Sequence, residues 1–175
     1  HRIDSASKAP GSLRRSIFSS SEVDLPAKRE VYVAMVLSIL LYGSKSWCLT
    51  QKLWSKLRSF HRRCVRIMCG ISMWHTQHCR ITTAQCLQLS QLRSVEAYVV
   101  RRQLQWAGHV ARMEEHRLPR KFLTAWCYQH RAVGGQEFAY GKRLEFALKY
   151  AKVDVGTWMD FAQDRPAWKL SLIHI

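Results

Sequence analysis

Acidic residues are scarce in this chain. Only 12 Asp and Glu stand against 28 Lys and Arg in 175 residues, a formal charge of +16. An imbalance of this size implies an anionic partner. Nucleic acid is the commonest, because each neutralised phosphate releases a counterion, and an anionic membrane surface is the other candidate. Turn formers are also few: four Pro and eight Gly argue against a sandwich or barrel, which need turn residues every ten or so positions. Long apolar runs are missing. The longest, Val31 to Tyr42, is about half the roughly 20 residues that cross a bilayer, and Lys28, Arg29 and Glu30 close one end, so it predicts a buried helix and no membrane partner. Cysteines 48, 64, 69, 79, 86 and 127 form no dense framework, and no signal-peptide pattern precedes them, so reduced thiols in the cytoplasm or nucleus are expected.

Catalytic constellations are equally thin. Carboxylates are scattered singly except for Glu114 and Glu115, which leaves no pair spaced for two-metal chemistry. Gly-rich phosphate loop, nucleophile elbow and zinc-protease motif are all lacking. The cluster Cys64, Cys69, His75, His78, Cys79 and Cys86 has metal-ligand residue types, but its spacings repeat no zinc finger or knuckle, so no metal is expected. His109, alone on a helix, reads as a hydrogen-bonded packing residue rather than a catalytic one.

What is present points to a folded core. Hydrophobic residues make up 47% of the chain and aromatics 11%, with seven Trp, far more than a disordered basic tail would carry. The length suits one domain or two small ones. Helical spacing dominates and predicts an all-α fold, an irregular helical array ending in short helices. Ile3 to Phe18 fits an amphipathic helix despite Pro10 and Gly11. Lys28 to Tyr42, entered after Pro26 and stopped at Gly43, is apolar almost all round and should be the most buried. Thr50 is a plausible N-cap, and Gly70 a plausible terminator, of a helix whose core stripe is Leu53, Leu57, Phe60, Cys64 and Ile67 or Met68. Lys52, Lys56, Arg63 and Arg66 follow steps of four, seven and three along its other face, flanked by Arg62 and Arg58.

Beyond it lie a polar and aromatic linker, Ile71 to Arg80, and a short helix, Thr83 to Leu89. A longer helix, Val95 to Met113, follows, in which Gly108 implies close packing or a kink. Helix restarts at Pro119 toward Cys127, a loop contains Gly134 and Gly135, and helix returns from Glu137 to Tyr150. Short turns at Thr157 to Gln163 and Pro166 to Trp168 finish the chain. The last six residues, LSLIHI (170–175), match the translation of a transposase adapter used in sequencing libraries and are expected to be read-through.

Four strings occur in order: LLYGSKSW (Leu40 to Trp47), KLRSFHRRCVRIMCGI (Lys56 to Ile71), RRQLQWAGHVARMEEHRLPRKFL (Arg101 to Leu123) and TWMDFAQDRPAW (Thr157 to Trp168). Together they resemble the C-terminal region of reverse transcriptases from LINE-type, non-LTR retrotransposons. The most specific residues are Trp106, Gly108, His109, Arg112, Met113 and Pro119, a motif with a structural role. The resemblance implies thumb-like helices over residues 1–70 and a post-thumb helical segment over 71–169. It also implies that the polymerase aspartates and their Mg²⁺ belong to fingers and palm upstream, since this chain contains no Asp-Asp pair and begins with His rather than Met. Lys45 departs from the Glu usual in the first string.

No cofactor is then expected in this stretch. Its expected biochemistry is binding of an RNA or DNA template-primer backbone through Lys52, Lys56, Arg62, Arg63 and Arg66, with Arg101, Arg102 and Arg112 as a second group. Side chains of this kind position a nucleic acid without reading bases. The alternatives are a non-functional remnant of a decayed element and a free-standing helical regulator that binds DNA or metal.

Overall fold

A computed structural model describes residues 2–128 and 140–175. Every regular element among them is helical, so the fold is all-α, as the spacing predicts. Contacts divide the chain into two compact units, His1–Tyr42 with Leu49–Val95, and Gly43–Cys48 with Glu96–Ile175.

In the first unit, α1 (Arg2–Leu13) runs through Pro10 and Gly11 into a π-helical turn, Arg14–Phe18. The Asp24 carboxylate accepts a hydrogen bond from Ala27 N at 3.0 Å and starts α2 (Leu25–Val31), with Pro26 in the first turn where its missing N–H costs nothing. A π-helical stretch, Tyr32–Leu37, leads into α3 (Ser38–Leu40). Tyr32, Val36, Leu37, Leu40 and Leu41 are buried, whereas Val33, Met35, Ile39 and Tyr42 are exposed. This helix is therefore not buried all round. It has one packed face, and apolar side chains are left open on the rest.

Thr50 Oγ1 accepts from Leu53 N and caps α4 (Gln51–Met68). At the other end Gly70, at φ 66, lets Ile71 N reach Arg66 O at 2.9 Å and Gly70 N reach Ile67 O at 3.2 Å, which satisfies the last carbonyls. The buried stripe of α4 is Trp54, Leu57, Phe60, His61, Cys64, Val65 and Met68. Leu53, expected in that stripe, is 44% exposed, one residue before the Trp that takes its place. His61 was not expected there at all. Its Nε2 donates to Arg93 O at 2.9 Å, which leaves Nδ1 to accept from the Tyr32 hydroxyl at 2.7 Å.

The segment expected to be a linker contains a short helix, α5 (Met73–His78), begun by a capping box in which Ser72 and His75 exchange hydrogen bonds. A second box, Thr82 with Gln85, opens α6 (Thr83–Ser90). Helix α1 packs on α3 and α4, and α2 packs on α4 and α6.

The second unit is built on α7 (Val95–Ala111), α8 (Leu118–Tyr128), α9 (Tyr140–Tyr150), α10 (Trp158–Phe161) and α11 (Arg165–Ser171). The Gly134–Gly135 loop and the expected start of α9 at Glu137 lie outside the described residues. Its core gathers Val100, Leu104, Ala107, Val110, Leu123, Leu144, Leu148, Trp158 and Trp168, joined by Leu172 and Ile175. Those last two fall in the stretch whose sequence set it apart as adapter-encoded, yet both are buried. Two side chains tie the 43–48 segment to this unit: Gln103 Nε2 donates to Trp47 O at 2.9 Å and the Tyr140 hydroxyl to Lys45 O at 3.1 Å.

Candidate functional site

The cationic face of α4 follows from the same periodicity that buries its other side. At about 100° per residue, Lys52, Lys56 and Arg63 fall within about 40° of one another, on the far side from His61 and Met68. All three are exposed, and with Ser55, Ser59, Phe60 and Ile3 of α1 they line a shallow groove of about 500 Å³. Among the described residues no carboxylate lines it, although the Asp4 carboxylate of α1 lies near enough to Lys56 to be held lower by its charge. Arg62 is exposed but stands outside the groove, and Arg66 is half-buried at the end of the helix. The five cations proposed from sequence are thus three that share a groove, one beside it and one partly withdrawn from solvent.

A second groove, of about 650 Å³, lies within the other unit between α7 and α11. Arg101, Gln105 and His109 recur every four residues along α7, and Arg112 follows the helix end on the same side. Arg165 and Lys169, a four-residue pair on α11, complete the lining with Trp168, Leu172 and Ile173. Among the described residues, again no carboxylate takes part. Arg102 belongs to neither groove. One residue on from Arg101, it is turned about 100° around the helix, is half-buried, and burial holds its guanidinium below the ordinary pKa.

The residues of the GHV-x-RM string divide into packing and polar members. Gly108 lies against the Trp168 indole: a Cβ there would come within 2.7 Å of both Cδ1 and Cε2, and closer still to Nε1. That approach lets Nε1 donate to Leu104 O at 3.2 Å. The helix thus requires Gly for close packing rather than for a bend. Beyond it, Arg112 donates to Ala162 O at 2.6 Å, while Gln163 Nε2 donates back to Ala111 O at 3.0 Å and to Met159 O at 3.2 Å. These crossed bonds satisfy the end carbonyls of α7 and α10 together. They explain why the two distant strings belong to one unit.

Trp106 meets Tyr140 edge to face at 5.4 Å, and Met113 packs half-buried on the core. Pro119 is exposed in the first turn of α8. His109 is exposed in the groove, not packed as its sequence context predicts.

Arg165 and Lys169 escaped the sequence reading. The available signal was an Asp164 cap followed by two cations four apart, but α11 has only seven residues, too few for a periodic pattern to stand out.

The Cys and His residues go separate ways. Cys64 is buried in α4, and burial pushes its thiol up to about 11. Cys69 Sγ faces Cys86 O at 3.7 Å, His75 caps α5, and His78 stacks on Trp74 with ring centroids 4.7 Å apart. Among the described residues, no group of three or more His, Cys, Asp or Glu is placed to hold a metal ion. No helix of the described residues is long and apolar enough to cross a membrane.

No family model and no solved structure matches the chain. It is similar to an uncharacterized transposon-derived protein of Caenorhabditis elegans, 28% identical over 155 residues, a match covering 86% of this chain and 55% of the relative. The chain thus spans about half the length of the curated relative it matches. The similarity supports a transposon-related origin.

Proposed function

We propose that the chain is the thumb and post-thumb portion of a LINE-type retrotransposon reverse transcriptase, an RNA-directed DNA polymerase, and that its own contribution is sequence-tolerant binding of the template-primer backbone. The observation that carries this reading is the α4 face: Lys52, Lys56 and Arg63 line one groove, with the Ser55 and Ser59 positions between them. Cations and hydroxyls of this kind contact phosphates and leave the bases unread. The transposon-derived relative and the four motif strings support the family. Exposed Met35, Ile39 and Tyr42, at steps of four and three along the α2–α3 helix, suit a face that a polymerase palm would cover. Polymerase chemistry and its Mg²⁺ fall to that upstream domain.

Filter binding to a primed RNA template across a salt series tests the reading. Changing Lys52, Lys56, Arg62 and Arg63 to Ala should flatten the slope of log K against log salt by about three units, at roughly 0.7 to 0.9 per lost phosphate contact. Helix content should hold, because Ala is the better helix former. The control changes Lys8, Arg14, Arg15 and Lys121, four exposed cations lining neither groove. Equal losses in the two variants would mean that net charge alone drives binding, and the reading would fail.

A further inference from the structure

We infer that the groove between α7 and α11 is a separate site for the sugar-phosphate backbone of one nucleic-acid strand, gripped from two walls by Arg101, His109, Arg112, Arg165 and Lys169. This rests on the reading that the chain binds nucleic acid, and it adds residues, a location and a strand state. Four permanent cations and one imidazole face a concavity of about 650 Å³ that no carboxylate of the described residues lines. The α7 wall from Arg101 to Arg112 runs about 16 Å at 1.5 Å per residue, the length of a few nucleotides. Cations on both walls can reach the two sides of one backbone.

A groove of this volume holds a few linked sugar and phosphate units, so one backbone, rather than a whole duplex, is what both walls can grip at once. Charged grooves that track a backbone are the usual device for single strands. The other usual element, an aromatic platform for stacked bases, is withheld here: Trp168 is only 2% exposed, and its indole N–H is engaged by Leu104 O. Recognition is therefore by backbone alone and should be indifferent to base identity.

The groove exists because its walls are locked together. Gly108 admits the Trp168 ring, and the crossed Arg112 and Gln163 hydrogen bonds hold the end of α7 to the turn before α11. Arg112 has both roles, so it is spared in the test. Arg165→Gln/Lys169→Gln removes charge from one wall, and Arg101→Gln/His109→Gln removes it from the other while leaving the crossed Arg112 and Gln163 bonds in place.

Binding of a fluorescent oligo(dT) strand, and of a blunt duplex of the same length, is measured by anisotropy across a salt series for the full chain and each variant. Circular dichroism confirms that each is folded. The Arg165→Gln/Lys169→Gln variant should lose about 1.4 units of salt slope on oligo(dT) and bind it on the order of tenfold more weakly at about 0.1 M salt, at roughly 0.7 units per strand contact. Duplex binding should change far less. If that variant unfolds, the Arg101→Gln/His109→Gln variant reads the same site with the same expected direction. Folded groove variants that bind the strand as the unaltered chain does, while the α4 variant weakens it, overturn this inference alone. Equal weakening on strand and duplex overturns the commitment to a single strand. If the unaltered chain binds neither probe, the proposed function itself fails, and this site with it.

Discussion

In the first unit, the helix with the most buried side chains, α4, is 18 residues long and carries its own periodic stripe, so Trp54, Leu57, His61, Cys64 and Met68 are brought to one side by the winding of the backbone. In the second unit, the largest buried side chains among the described residues are Trp158 and Trp168, on helices of four and seven residues. Helices so short do not persist alone. They are held by side chain to main chain bonds across long separations: Trp168 to Leu104 O, Arg112 to Ala162 O and Gln163 to Ala111 O. One unit is organised along its helices and the other at their crossings. A methyl group added at a crossing should therefore do more harm than any change on an open helix face.

Gly108→Ala gives the largest expected effect. The added Cβ drives the Trp168 ring off α7, and the cost combines overpacking with a buried indole N–H separated from Leu104 O, about 3 to 5 kcal/mol together. Urea unfolding should show the loss, and near-UV dichroism should show the Trp environment changed even where the variant stays folded. An unchanged unfolding midpoint would mean that the crossing is not as close as described.

The same contrast governs what could be read from the sequence. The cap at Thr50, the Gly70 terminator and the cationic side of α4 were legible because each is a local pattern, complete within a few residues. Leu53 misled by one position because Leu53 and Trp54 stand equally well one turn before Leu57. Only the neighbouring helices decide between them; they bury Trp54, and they add His61 beside the expected Phe60. Lys28, a charge that should have been solvated, is buried with its Nζ donating to Ser20 O at 2.7 Å, a partner no spacing rule names. The α7–α11 groove stayed hidden for the same reason: its walls lie more than fifty residues apart and meet through the Gly108–Trp168 contact and the hydrogen bonds around it.

A smaller effect depends on pH. Burial raises the Cys64 thiol from 9.0 to about 11, with nearby Arg63 acting weakly the other way. In the unfolded chain the thiol loses its proton near its ordinary value, while the folded chain retains it. The unfolded state then binds fewer protons, so stability is whole below about pH 9 and is lost as pH rises toward 11. The slope is at most about 1.4 kcal/mol per pH unit. Cys64→Ala should be less stable at neutral pH, from the lost packing, yet show a shallower alkaline decline than the unaltered chain. Parallel declines in the two proteins would place the alkaline sensitivity elsewhere.

The smallest effect has the opposite sign and completes the comparison. Gly11 lies within α1 and is exposed, and a Cβ built on it meets nothing within 4 Å. Its φ is not in the left-handed region, so no turn geometry requires Gly at this position. Glycine there only widens the choice of backbone conformations in the unfolded chain, which folding must then restrict. Gly11→Ala should raise stability by about 0.5 to 1 kcal/mol, the difference in helix propensity between the two residues. Set beside Gly108→Ala, the identical chemical change stabilises a helix whose face is open and destabilises one whose face receives an indole. Urea midpoints for the two variants, measured against the same parent, should shift in opposite directions. A shift of Gly11→Ala toward lower urea would mean that the turn of α1 before Arg14–Phe18 packs against something that its open surroundings do not show.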